Sequence, residues 1–183
     1  MKKKIFIGLG VIGVLLVAVV LYGVLVASKK SPIKTTEFSN NGLDLKVVYC
    51  QPYKKGRLIF GEEKDGALQP YGKYWRLGAN AATEITFSKN VNFGGKAVNA
   101  GTYRMYAVPG ANTWQIALNS ELGVYFAINE PKYDLDVVKV EVAPGVAPAE
   151  TEQLTIDFAA DSTATNMNIV WDKTQVTVPI TVQ

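Results

Sequence analysis

The chain of 183 residues has no histidine and one cysteine, Cys50. Without imidazole it can build neither a Ser-His-Asp nor a Cys-His relay, and no histidine-bound zinc. A single thiol forms no internal disulfide and no thiolate metal site. Cys50 closes the run LDLKVVYC, where it reads as a strand residue turned inward, acting as a small apolar group rather than a reactive thiol. Arginine is nearly as scarce, with only Arg57, Arg76 and Arg104. No glycine-rich loop precedes a helix, so no phosphate-cradling loop is expected, and no cofactor or metal is implied.

Positive charge is scarce in one part of the chain only. The formal charge is +3, yet six of the 19 basic residues lie within the first 34 positions, which hold no acid. Residues 35–183 therefore carry a net −3. A nucleic-acid partner needs a basic face to neutralise phosphates, and this balance argues against one.

What the first 34 residues have is a long apolar run. Residues 1–4 are a short basic tail, Ile5–Ala27 contains no charge, and Ser28-Lys29-Lys30 follows. As a helix those 23 residues would extend about 35 Å, enough to cross a hydrocarbon core of about 30 Å. Tyr22 and the flanking lysines suit headgroup regions. The run is longer than the usual signal-peptide core, and the residues preceding Ala27 and Ser28 make mediocre cleavage sites. We expect a transmembrane anchor over 5–27, with cleavage as the alternative. The short tail implies that the large domain is translocated. That places a single-pass protein at the inner membrane with its C-terminal domain in the periplasm, or a secreted one if the segment is cleaved. Residues 28–43, polar and carrying Pro32, Asn40, Asn41 and Gly42, read as a linker.

From Asp44 onward the apolar period is 2, and no window of ten residues keeps a helical stripe. Leu45, Val47 and Tyr49 share one face, as do Ile85 and Phe87. Val91 to Val98 reads as a hairpin closed by Gly94-Gly95, because two glycines meet the positive φ of a tight primed turn. Further strands follow at Tyr103–Ala107, Trp114–Leu118, Val138–Val142, Leu154–Phe158 and Met167–Trp171. A brief strand is expected at Val124–Ile128 and a loop over Pro144–Ala149. Asp172-Lys173 reads as a turn into a last strand, which Pro179 marks as an edge or bulged one. About ten strands with Gly/Pro/Asn punctuation over 44–183 predict an all-β domain, an antiparallel β-sandwich.

Gly56–Thr83 is the chain's densest collection of aromatic and multi-donor side chains. Arg57, Tyr71, Trp75, Arg76 and Asn80 are the candidate ligand-binding residues. Arginine offers a planar fork of donors suited to carboxylate or phosphate, Tyr71, Tyr74 and Trp75 offer a flat apolar platform, and Asn80 a donor–acceptor pair. A glycan or a small anionic ligand fits that set. The alternative is structural: Gly78–Thr83 bends the chain from strand to loop, Trp75 is core, and Arg76 pairs with Glu84 or Asp157. Glu62-Glu63-Lys64-Asp65 lacks calcium-loop spacing and reads as a solvated hairpin tip. No residue is nominated as catalytic, since no Asp/Glu pair can be singled out for acid–base work.

Gly56-Arg57, Phe60-Gly61, Pro70-Tyr71-Gly72, Trp75-Arg76-x-Gly78-Ala79-Asn80, Thr83 and Phe87 form an ordered series. Gly95-Lys96, Ala100-Gly101-x-Tyr103, Pro109, Trp114, Asn119, Trp171-x-Lys173 and Val178-Pro179-Ile180 continue it. Over about residues 43–182 the chain resembles the bacterial family catalogued as domain of unknown function 2911. The resemblance implies an envelope-associated β protein and no particular activity. Two places depart from the family pattern: Gln51-Pro52-Tyr53 replaces an Arg-Pro-Ser-like segment, and Leu122-Gly123-Val124-Tyr125 stands where a Trp-Gly pair is usual. The resulting expectation is a membrane-anchored, non-catalytic module for a glycan, a small anionic ligand or an envelope partner. A structural envelope protein is the alternative, and a histidine-free hydrolase the weakest reading.

Overall fold

The computed structural model describes residues 12–23, 26, 30–125, 127–161 and 163–183. Residues 12–23, within the apolar run, are helical. No helix among the described residues is long and apolar enough to cross a membrane. Apart from residue 26, the rest of the expected span Ile5–Ala27 lies outside them.

The remainder is mostly strand. Its twelve described strands are β1 (Ile33–Asn40), β2 (Leu43–Cys50), β3 (Phe60–Gly61), β4 (Gln69–Pro70), β5 (Thr83–Phe87), β6 (Val91–Phe93), β7 (Lys96–Val98), β8 (Gly101–Val108), β9 (Trp114–Asn119), β10 (Asp136–Val142), β11 (Gly145–Ala160) and β12 (Thr165–Val182). A six-stranded antiparallel sheet runs β1-β2-β5-β8-β9-β10, and a four-stranded antiparallel sheet runs β11-β12-β6-β7. Strands β3 and β4 form a small parallel pair.

Both larger sheets contribute to one core. Val47, Ile85, Met105 and Ile116 come from the six-stranded sheet; Phe93, Ile156, Ile169, Trp171 and Val178 come from the four-stranded one. The alternation that predicted the strands is the cause: in β2 and β5 every second side chain is buried, so each strand has one inward face. The hairpin joining β6 to β7 closes through Gly94 and Gly95, both at positive φ, with Phe93 opposite Lys96. This is the tight turn expected of two glycines.

Five expectations need correction. The stretch 31–43 is no linker, because β1 pairs with β2 along its whole length, from Ile33 opposite Cys50 to Asn40 opposite Leu43. Asn41 and Gly42 both take positive φ in the turn, a common hairpin device. The segment looked like a tether because β1 is an edge strand with little of either face buried. Pro144–Ala149 is not simply a loop, since β11 begins at Gly145. Asp172-Lys173 is not a turn either: β12 continues through Asp172, which sits at φ 57° where the register with β11 shifts. A residue in this conformation accommodates a bulge without ending the strand.

The fourth correction concerns Ser120–Leu135. Among its described residues there is no strand, only a loop and one turn of 3₁₀ helix at Tyr133–Leu135. Its apolar residues gave a strand-like signal, but Leu122, Tyr125 and Ile128 are exposed. Glu63–Asp65 is likewise a 3₁₀ turn rather than a hairpin tip. Pro179 fits its setting. β12 lies between β11 and β6, yet β11 runs out opposite Gln175 and β6 pairing starts at Ile180, so the missing N–H breaks no ladder bond.

Candidate functional site

The connection from β2 to β5 wraps one end of the two-sheet core. It departs through Pro52 and Tyr53, turns at Lys55 and Gly56 (φ 51° and 68°), and runs through β3 and β4 to Trp75. Trp75 exchanges two 2.8 Å backbone hydrogen bonds with Ala107, which fixes it beside β8. Its ring stacks on Trp171 at 5.9 Å and meets Trp114 and Phe60 edge-on at 5.9 and 5.4 Å. Pairs of this kind are each worth about 0.5–1.5 kcal/mol beyond their burial. Trp75 is therefore core, as the structural reading expected. Its Nε1–H has no hydrogen-bond partner among the described residues and is closed to solvent by these neighbours.

The bend that follows is built by conformation as much as by contact. Leu77 is fully buried at φ 54°, an unusual state for a side chain of its kind. Its carbonyl accepts a 2.8 Å hydrogen bond from the buried Thr83 hydroxyl. A Cβ on Gly78 would come within 3.0 Å of the Cys50 carbonyl and 3.3 Å of Thr83 Oγ1, so that position favours glycine. Asn80 also takes positive φ, at 58°, and its carbonyl accepts from Ala127 N–H at 3.0 Å and from Arg76 Nη1 at 3.4 Å. The expected pairing of Arg76 with Glu84 or Asp157 does not occur: the Glu84 carboxylate accepts the Gly123 N–H instead, at 2.8 Å.

These turns enclose an open cleft of about 800 Å³. Four of the five candidate residues meet there: Arg57, Trp75, Arg76 and Asn80 all line it. Tyr71 does not. It lies on the turn after β4, half-buried, with its N–H donating to Gly61 O at 2.9 Å. Of the three aromatic residues expected as a platform, Tyr74 and Trp75 line the cleft, and Trp171, on the far sheet, joins them.

The lining is charged with one sign. Among the described residues, Lys30, Lys55, Arg57 and Arg76 border the cleft, and no Asp or Glu does. None of the four forms an ion pair among the described residues. Arg57 is exposed and anchored at its base, with Nε donating to Lys54 O at 2.9 Å and Nη2 to Tyr53 O. Its Nη1 makes no hydrogen bond within the described structure and can serve a ligand. Neighbouring Lys54 is different. Bound to Asp172 at 2.6 Å and Glu150 at 2.5 Å, its amine is pushed up to about 12, chiefly by Asp172, while Glu150 is held below the usual carboxylate range. Lys54 is a clasp between the β2–β3 loop and the β11–β12 hairpin, and it does not line the cleft.

The third arginine was missed by sequence reasoning. Arg104 is 1% exposed on the outward face of β8. Its Nη1 pairs with Glu121 at 2.7 Å, and its Nη2 donates to Tyr74 Oη at 2.7 Å and to Asn129 O at 3.3 Å. Beside it, Tyr106 Oη donates to Asp136 at 2.7 Å, burial pushes that phenol up, and Asn119 Nδ2 bridges Asp136 and Lys132 O at 2.8 Å each. Alternation along β8 put Arg104 and Tyr106 on a solvent face. The 120–135 loop covers that face, and a loop without periodicity leaves no signal of what it will cover. Tyr74 joins the two regions, since it both lines the cleft and receives the Arg104 hydrogen bond.

No curated protein and no solved structure matches the chain significantly. One family profile does, described as Protein of unknown function (DUF2911), over residues 31–180. That match spans both larger sheets and every residue from the cleft's Ser31 to Trp171, and by it the chain belongs to the DUF2911 family.

Proposed function

We propose that the protein is a non-catalytic binding module whose cleft takes a glycan or a small anionic ligand, held at the cell envelope by the apolar run Ile5–Ala27. The observation that carries this reading is the cleft's lining among the described residues: four basic side chains, none of them ion-paired, and no carboxylate, over an aromatic floor. Unneutralised cations gathered in a concave site attract and orient an anion, and arginine does so with directional donors. Ligand sites are concave, partly apolar and carry a few converging polar groups, as this one does.

The test is a thermal-shift screen of the detergent-solubilised full chain against sugars, nucleotides and organic acids. A ligand of the cleft stabilises the native chain and loses that effect in the R57Q/R76Q variant. If no compound stabilises the native chain, or if every stabilising compound acts equally on the variant, the reading fails. The packing of Trp75 against Trp171, Trp114 and Phe60 favours a second reading, a structural or assembly role in the envelope with no small ligand. Under that reading Trp75→Ala abolishes cooperative melting while the screen finds nothing.

A further inference from the structure

The cleft lies where the chain emerges from its apolar N-terminal run. Lys30 and Ser31 form part of its lining. This emergence point is fixed: Ser31 is buried, Gln51 N–H donates to Pro32 O at 2.8 Å, and Ile33 starts the β1–β2 ladder opposite Cys50. In sequence the apolar run ends at Ala27, three residues before Lys30. Three residues reach at most about 11 Å when fully extended. If the run is buried in a bilayer, the border of the cleft is held within that distance of the end of the hydrocarbon-spanning segment. The headgroup layer occupies this zone.

The rest of the lining suits that depth. Lys55, Arg57 and Arg76 add to Lys30 with no carboxylate among the described lining residues, Glu152 outside the lining accepts the Lys55 backbone N–H at 2.9 Å, and Ile128 is 68% exposed at the same cleft. Cations beside an exposed aliphatic side chain match the boundary between anionic headgroups and acyl chains. We infer that the cleft binds the anionic headgroup of a lipid in the membrane that anchors the chain, with Arg57 and Arg76 on its phosphate. The inference rests on the ligand-binding reading of the cleft and on the apolar run acting as an anchor.

The test places the full chain in nanodiscs of phosphatidylcholine alone or with a minority of phosphatidylglycerol, and follows melting of the β domain. Phosphatidylglycerol is expected to raise the midpoint by about 5 °C. The rise disappears in R57Q/R76Q and persists in K64Q/K89Q, which removes two exposed charges outside the cleft. Equal loss in both variants means unspecific charge attraction and overturns the inference. An equal rise produced by free glycerol phosphate in phosphatidylcholine discs assigns the site to a soluble anion, which overturns the lipid source and leaves the cleft reading standing. Stabilisation by a neutral sugar alone also overturns the inference and spares the cleft. Failure of the chain to insert into the discs removes the anchor and overturns it as well. No stabilisation by any of these probes overturns the inference, and a silent soluble-ligand screen would then remove the cleft reading too.

Discussion

Replacing Arg104 by methionine should destabilise the domain more than any change within the cleft's exposed rim. The guanidinium is 1% exposed and holds three partners on two segments: Tyr74, and Glu121 and Asn129 of the 120–135 loop. Methionine keeps much of the aliphatic stem, so the change isolates the polar contacts. Removing one partner of a buried ion pair costs about 3–5 kcal/mol. Glu121 is 24% exposed and keeps Lys132 at 3.6 Å, which places the cost at the lower end, about 3 kcal/mol. The unsatisfied Arg104 Nε, relieved by the substitution, offsets part of it. For a domain of this size each kcal/mol moves the midpoint by about 2–4 °C, so a drop of roughly 6–12 °C is expected. Circular dichroism melts measure it, and a cycle with Glu121→Gln isolates the pair. If the two positions act as a unit, the double variant is less destabilised than the sum of the singles by at least about 1 kcal/mol. A midpoint within about 2 °C of native, or strict additivity, would refute the claim that Arg104 pins the 120–135 loop to β8.

Three further outcomes follow from local chemistry. Asp161 caps the β11–β12 connection by accepting from Thr163 N–H, Ala164 N–H, the Thr163 hydroxyl and Asn166, which hold its carboxyl down at about 2. A depressed folded value means its contribution is present above the ordinary value near 3.8 and is lost as pH falls through about 2. Asp161→Asn should therefore flatten the pH dependence of the melting midpoint between about pH 4 and 2, and an unchanged slope there would exclude the cap. Cys50, 4% exposed at the end of β2, should resist a thiol reagent in the native protein and react once in denaturant; fast native labelling would show that it is accessible. Gly94→Ala places a Cβ within 2.9 Å of Val140 at φ 55°, and should cost about 1–3 kcal/mol in a denaturant titration, whereas a neutral result would mean that the β6–β7 turn rearranges freely.

How far the residues alone carried depended on whether order was periodic. Strands β2, β5 and β10 were legible because one face of each is buried, β8 and β9 because large apolar side chains still recur at every second position, and the Gly94-Gly95 turn because its φ values demand glycine. β1 was not, since an edge strand exposed along most of its length has no apolar stripe, and its Asn41-Gly42 turn was the overlooked sign. The long β11–β12 hairpin was cut short in reading because Pro, Ala and Asp-Lys resemble loop residues where the strands bulge. In the cleft, the clustering of Arg57, Trp75, Arg76 and Asn80 survived folding. Tyr74 was legible as an aromatic of the same block, but Arg104 and its hydrogen bond to Tyr74 were not, because that contact depends on a loop that crosses from another part of the chain.

Scarcity of arginine makes the central claim measurable. A chain labelled at arginine gives three side-chain Nε–H resonances, those of Arg57, Arg76 and Arg104. Titrating the detergent-solubilised full chain with an acidic oligosaccharide, a neutral one, glycerol phosphate and short-chain phosphatidylglycerol reports on all three at once. A ligand of the cleft is expected to move Arg57 and Arg76 saturably and to leave the buried Arg104 in place. Saturable stabilisation of the protein with both cleft arginines unmoved would contradict the account.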